Sequence, residues 1–240
     1  MADPAPPEGR FLVSEIYKTI QGESSLVGYP TVFVRLYTCN LRCVWCDSMH
    51  AVEGGAYEEM SVADVAKRIL ELAGGGIHHV CWTGGEPLLQ WRSMAQAIDR
   101  LPPNLVHSVE TDGEVPIQPL DTALHGKRHA GYVRFILDVK CPGSGMKAKL
   151  ALENFKYLRP EDEVKFVVAD RADYEFARDV LRTHALPAGT ILFSPVMAAH
   201  KVTRGLDPAK LAAWLLEDGL RARLQIQVHK VIWPSMDRGI

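Results

Sequence analysis

Residues 31–48, TVFVRLYTCNLRCVWCDS, decide how the rest of the chain is read. The first seven are a β-rich run of branched and aromatic side chains, and three thiols follow at once, Cys39, Cys43 and Cys46, with three and then two residues between them. A short loop carrying three thiolates directly after a strand is a metal-binding arrangement. An iron–sulfur cube normally takes four thiolates, so three leave one iron without a protein ligand and free to bind another molecule. A zinc site or a chance grouping of buried thiols is the alternative, but zinc knuckles need a second pair of Cys or His at matching spacing, and the sequence shows none. Trp45, between the second and third thiols, suits shielding a cluster from water and ordinary packing equally.

Outward from this stretch the chain alternates strand and helix patterns. FLVSEIYKTI (11–20) precedes it. After it come a helix over Ser61–Ala73, the strand HHVCWT (78–83), a helix after Pro87, and the strand VHSVET (106–111). YVRFILDVK (132–140), a Lys147–Phe155 helix, EVKFVVA (163–169), a helix near Asp173–His184, TILFSPV (190–196), a helix over Pro208–Glu217 and a strand RLQIQVHKV (223–231) complete the series. Such βα repetition implies a largely parallel sheet. Ser61 with Asp64 reads as a capping pair, and Gly74–Gly76 as a helix stop. Six or so parallel strands are too few for an eightfold barrel, so the expected fold is α/β, a partial, open TIM-like barrel. A doubly wound sheet is the alternative. Both put ligands at the carboxyl ends of the strands.

With 240 residues and 47% hydrophobic content the chain can bury one sizeable core; residues 1–10 read as a flexible leader and 11–240 as a single domain. Its 27 basic and 29 acidic residues nearly cancel, which gives no footprint for nucleic acid or an anionic membrane. No apolar run approaches the roughly 20 residues of a membrane span, and the start lacks a secretory signal, so a cytoplasmic location is expected. The five cysteines suit metal binding in a reducing compartment better than a disulfide framework; Cys81 and Cys141 are left over.

Thr83, Gly84, Gly85, Glu86 and Pro87 follow a strand and precede a helix, where two glycines let the backbone approach a ligand closely and offer it their amides; an ordinary strand-to-helix turn is the other reading. Polar residues that end apolar runs, Asp138 and Lys140 in LDVKCPGSGM and Ser194 in FSPVM, suggest a site, because a buried charge is costly unless paired. A structural ion pair is the other reading. Glu110 and Thr111 are weaker candidates for the same pocket.

CxxxCxxC after one strand and TGGEP after the next resemble the radical S-adenosylmethionine superfamily. By that resemblance a [4Fe-4S] cluster on Cys39, Cys43 and Cys46 chelates S-adenosylmethionine through its open iron, and a reduced cluster cleaves the cofactor to an adenosyl radical. Trp45, Asp47, Gly85, Glu86, Asp138, Lys140 and Ser194 are the implied cofactor contacts. IYKTIQGESS before the loop, the Arg35 spacing, CDS, TGGEP and the terminal HKVIWP…RGI narrow the match to the 7-carboxy-7-deazaguanine synthase family. That implies a lyase converting 6-carboxy-5,6,7,8-tetrahydropterin to 7-carboxy-7-deazaguanine with loss of ammonia, in queuosine and deazapurine biosynthesis. It implies substrate contacts from Ile20, Gln21, Gly22, Glu23, Arg35, Thr83, His229 and the Ile240 carboxylate, and Mg²⁺ on Ser48, where the family usually has Thr. It also implies a flavodoxin or ferredoxin as reductant, and a homodimer. From chemistry alone, Gln21 suits a ring edge, Glu23 accepts from N–H groups and Arg35 holds a carboxylate; a turn, an ion pair at Arg35 and a core imidazole at His229 are the plainer readings. No protein acid or base is identifiable. The rivals are a glycyl-radical enzyme activase, which would not need the QGE and Arg35 set, and a non-catalytic iron–sulfur or zinc protein, which would not need the glycine turn.

Overall fold

The computed structural model describes residues 7–146, 151–197, 205–236, 238 and 239. Strand β1 (Arg10–Ile20) forms an antiparallel pair with β2 (Pro30–Leu36), and β3 (Glu58–Ser61) lies on the other edge of β1. Helix α1 (Val62–Ala73) follows, capped by Ser61, whose side chain accepts from the Asp64 N–H, and ended by Gly74 at φ +54°. From β2 onward every pairing is parallel. The strands are β4 (His79–Gly84), β5 (Val106–Thr111), β6 (Val133–Asp138), β7 (Glu163–Val168), β8 (Thr190–Pro195) and a two-residue β9 (Arg223–Leu224). The sheet order is β3-β1-β2-β4-β5-β6-β7-β8-β9, an open barrel. The remaining helices are α2 (Trp91–Arg100), α3 (Gln118–Ala123), α4 (His125–His129), α5 (Ala151–Asn154), α6 (Arg171–Thr183), α7 (Pro208–Asp218) and α8 (Val228–Ile232).

Because successive strand side chains point to opposite faces, each strand carries two sets of residues. Val32, Val34 and Leu36 of β2, Val80 and Trp82 of β4, Val133, Phe135 and Leu137 of β6, and Val164, Phe166 and Val168 of β7 join one buried apolar cluster. The helices supply Val65, Ile69, Met94, Ile98 and Tyr174 to it. Each fully buried large side chain there contributes about 1.5–3 kcal/mol. The alternate residues Phe33, Arg35, Thr83, Glu110, Ile136, Asp138, Lys165 and Val167 line a cavity inside the barrel. The inner face is therefore a ligand space and not a second helix-covered layer, which separates this fold from the doubly wound alternative.

Two sequence expectations change. The run RLQIQVHKV is not one strand, since pairing stops at Leu224 and α8 begins at Val228. Its alternating glutamines read like a strand, but they turn inward to serve other partners: Gln225 bonds the Ser24 N–H and the Ser194 hydroxyl, Gln227 bonds Glu23, and the Val228 N–H reaches the Gly22 carbonyl. Those contacts close the open side of the barrel. Helix α6 begins at Arg171, because the Asp170 side chain accepts from the Asp173 N–H. Of the expected Lys147–Phe155 helix, residues 151–154 are helical and 147–150 lie outside the described residues.

Candidate active site

The cavity, about 250 Å³, opens at the carboxyl ends of the strands. At its mouth lies the thiol loop. Thr38, which begins it, sits at φ +82°, a strained conformation for a β-branched residue. It is held there by its N–H to the Ala51 carbonyl at 2.8 Å and by the Glu86 N–H to its own carbonyl at 2.8 Å. Gly84 and Gly85 pack against this backbone so closely that a Cβ at Gly84 would lie 2.1 Å from the Leu36 carbonyl oxygen, and one at Gly85 would lie 2.0 Å from that of Thr38. The glycine pair is needed for the thiol loop to seat on it. The Gly85 amide donates to the Leu36 carbonyl at 2.9 Å, so its carbonyl is what it can offer a ligand.

Cys39, Cys43 and Cys46 all line the cavity, half-buried. Burial raises all three thiols, Asp112 raising Cys39 further; Lys140 pulls each back. The Cys39 thiol donates to Asp112 at 3.7 Å. Among the described residues no three His, Cys, Asp or Glu side chains converge on a single ion. An iron–sulfur cube does not require that, because each thiolate binds a different iron.

Inside the mouth, Lys140 pairs with Asp138 at 2.8 Å, and the other Asp138 oxygen, Oδ1, is buried without a partner. A buried orphan acceptor is costly and faces a cavity able to supply a donor. Lys165 lies 3.8 Å from the same carboxylate and 2.7 Å from Glu23. Glu23 also accepts from Gln227 at 2.7 Å. Burial would raise this carboxyl, but Lys165 and His229 hold it down at about 2. Gln21 donates to Glu110 at 3.2 Å and accepts from the Glu23 N–H at 3.1 Å. Thr83, beside Arg35 in the parallel register, donates to the other Glu110 oxygen at 3.2 Å. The His229 ring rests on Gly22, where a Cβ would come within 2.1 Å of Nδ1, and burial lowers that imidazole below its usual value. Ile20 and Trp45 also line the cavity.

Arg35 is an ion pair and more. Nε donates to Glu15 at 2.8 Å, Nη2 to the Tyr17 hydroxyl at 2.7 Å and Nη1 to the Ser48 hydroxyl at 3.0 Å. Ser48 in turn donates to Asp47, which binds Lys230 at 2.9 Å. Ser48, Asp47 and Arg35 all reach the cavity.

Two expected contacts face away from it. The Glu86 carboxylate is fully buried behind the thiol loop, where it accepts from the Leu88 N–H, the Thr111 hydroxyl and the Asp112 N–H. The Ser194 hydroxyl is taken by Gln225 at 3.1 Å, and neither residue lines the cavity. Both side chains already have protein partners, which is what a buried polar group requires. Ile240 lies outside the described residues. Sequence reasoning missed Lys165, Asp112, Gln227 and Lys230, all of which line the cavity. Lys165 had a signal, a charge inside the apolar strand EVKFVV; Gln227 and Lys230 had none, because their place depends on α8 folding back across the mouth.

A thiol loop and a glycine turn at the mouth of an open β/α barrel define a radical S-adenosylmethionine protein, and a family model described as the Radical SAM superfamily matches residues 34–142. Such proteins use a [4Fe-4S] cluster and S-adenosylmethionine. The chain is 42% identical to the 7-carboxy-7-deazaguanine synthase of Koribacter versatilis, covering 95% of this chain and 99% of that one. It is 36% identical to that of Methanospirillum hungatei, over 95% and 88%. It belongs to the 7-carboxy-7-deazaguanine synthase family. The crystal structure of QueE from Escherichia coli shares the fold, with a TM-score of 0.66 at 21% identity over 91% of this chain and 94% of that one.

Proposed function

We propose that this chain catalyses the ring contraction of 6-carboxy-5,6,7,8-tetrahydropterin to 7-carboxy-7-deazaguanine with loss of ammonia, as a carbon–nitrogen lyase of deazapurine biosynthesis. One observation carries the reading: a single cavity has three thiols at its mouth and the polar set Gln21, Glu23, Arg35 and His229 inside. That set matches a molecule with an amino-pyrimidinone edge and a carboxylate, and a backbone-abstracting activase has no use for it.

Cys39, Cys43 and Cys46 would hold the cluster. Asp47, Gly85, Asp138 and Lys140 would hold S-adenosylmethionine, with Trp45 against it. The orphan Asp138 oxygen fits a hydroxyl donor of the cofactor, the Gly85 carbonyl its ammonium and Lys140 its carboxylate. When bound, cluster and cofactor together supply the hydrogen-abstracting adenosyl radical. Glu86 and Ser194 act from behind, Glu86 by holding the glycine turn and Ser194 by fixing Gln225.

On the substrate side, Gln21 presents one remaining N–H and one remaining lone pair to the ring edge. Glu23, with three of about four acceptor positions already taken, keeps one for an N–H of the pterin. Arg35, anchored by Glu15 and Tyr17, directs its remaining N–H groups at the carboxylate. Ile20, Gly22, Thr83 and His229 shape the ring pocket. The Ser48 hydroxyl, with one lone pair on Arg35 and its proton on Asp47, keeps a second lone pair for Mg²⁺, which needs few protein ligands and takes water or substrate oxygens for the rest. A flavodoxin or ferredoxin donor, a homodimer and the Ile240 contact are carried over on family resemblance. Among the described residues no helix is long and apolar enough to cross a membrane.

The test is anaerobic incubation of the reconstituted protein with the tetrahydropterin, S-adenosylmethionine and dithionite, followed by mass spectrometry. Formation of 7-carboxy-7-deazaguanine with one ammonia per product is expected. Release of 5′-deoxyadenosine with the pterin recovered unchanged would refute the assignment.

A further inference from the structure

The charges inside the barrel are arranged in a row. Glu23, from the loop after β1, meets Lys165 of β7 at 2.7 Å; Lys165 lies 3.8 Å from Asp138 of β6; and Asp138 meets Lys140 at 2.8 Å. Signs alternate along the four groups and cancel. The row joins the pterin side of the cavity to the cofactor side, and Lys165 is the link between them. Asp138 and Lys165 are register partners across the β6–β7 ladder, so the sheet itself fixes the spacing. Glu23 is not on a strand, and its position depends on what it bonds.

We propose that Lys165 is a positioning residue for substrate recognition: it holds the Glu23 carboxylate in one orientation, so that the acceptor position left open points at the pterin N–H edge. The inference rests on the substrate reading of Glu23. A lone carboxylate at the end of a loop samples several rotamers and loses affinity in being ordered. Three contacts from β7 and the C-terminal segment remove that freedom beforehand. Lys165 is the only cation among those contacts. Burial alone would raise the Glu23 carboxyl, and the Lys165 charge beside it is the largest influence holding it down. An ionised carboxylate only accepts, whereas a protonated one offers a donor where the pterin also has donors. Lys165 thereby sets both the direction and the hydrogen-bonding sense of Glu23.

The test compares Lys165→Met, Glu23→Gln, the double variant and Lys165→Arg, each loaded with cluster. Lys165→Met should raise KM for the tetrahydropterin by about tenfold or more, the loss of one charge-assisted contact. KM for S-adenosylmethionine should move less than about threefold, because Lys140 keeps Asp138 paired. Glu23→Gln should raise the pterin KM as well, and the double variant should match Glu23→Gln to within about twofold, since two residues acting through one contact are not additive. Lys165→Arg should recover most of the loss. An unchanged pterin KM in Lys165→Met beside a raised one in Glu23→Gln overturns the proposal. So do singles whose fold-changes multiply in the double, and so does an equal rise in both KM values, the mark of a merely structural role. An unchanged pterin KM in Glu23→Gln instead removes the substrate reading at that residue, and the proposal with it. If Lys165→Met fails to retain iron, the double variant, which removes charge and counter-charge together, carries the comparison: a match to Glu23→Gln supports the proposal and a further rise in KM overturns it.

Discussion

The two faces of the parallel sheet are written in the same strands, one residue apart, and they obey different rules. Outward, Val34, Trp82, Phe135 and Phe166 pack under the helices in one apolar cluster. Inward, their neighbours Arg35, Thr83 and Lys165 carry charge or hydroxyl into a cavity. An outward side chain contributes through area removed from water, which many apolar residues can supply. An inward one contributes through a direction and a charge, which one residue type can supply. Stability and chemistry are therefore divided by parity along each strand, and substitutions at adjacent positions should separate them.

The largest expected effect lies at the mouth. We predict that Cys43→Ala abolishes reductive cleavage of S-adenosylmethionine and lowers bound iron, because two thiolates cannot retain the cube. Cleavage at the parent rate would remove this thiol from the site. On the outward face, Phe135→Ala should cost about 3–5 kcal/mol in denaturant unfolding while the folded fraction keeps its KM. A raised KM with unchanged stability would break the division by parity. One step inward, Arg35→Lys should lose roughly 1.5–3 kcal/mol in kcat/KM and leave uncoupled cofactor cleavage measurable, because an ammonium cannot serve Glu15, Tyr17 and Ser48 together as the guanidinium does. Unchanged kcat/KM would confine Arg35 to its ion pair.

The outward face also holds a polar pair that sharpens the comparison. His107 on β5 accepts from the Trp82 indole N–H at 3.2 Å, and burial followed by the Lys127 charge lowers it from an ordinary 6.5 to about 3. A folded value below the unfolded one means that the stabilisation is complete above pH 6.5. It is lost as pH falls toward 3, at up to about 1.4 kcal/mol per unit. We predict that unfolding midpoints drop between pH 7 and 5, and that His107→Gln, which can still accept from Trp82, flattens the slope. Equal slopes would mean that His107 is protonated in the folded protein. The smallest effect belongs to the helical layer, where Ser61→Ala should cost about 1 kcal/mol through loss of the α1 cap, read as a lower thermal midpoint with kinetics unchanged.

Much of the site was legible because its residues are local. The thiol spacing, the glycine turn and QGE are short stretches whose chemistry shows in the residue types, and the structure brings all three to one cavity. The rule that a buried charge marks a site was less discriminating. Arg128 and Asp162 are as buried as any, paired at 2.6 Å, and they serve the fold near β6. Ser194 likewise satisfied the rule and faces a protein partner, as does Glu86, which the family resemblance had placed at the cofactor. RLQIQVHKV misled for a related reason, since alternating glutamines have the period of a strand whether they face solvent, a core or, as here, a loop across the barrel.

The sequence by itself determined the strand–helix alternation, the helix ends at Ser61 and Gly74, the family and the chemistry at the cavity mouth, because each depends on residues within a few positions of one another. Only the tertiary structure decided which face of each strand is inside, that Gly84 and Gly85 exist to seat the thiol loop, and that Lys165 stands between Glu23 and Asp138. Those contacts join residues 27 to 142 positions apart in the chain. Their distances are set by strand register and by the polar closure of the barrel's open side, neither of which leaves a mark in any local stretch.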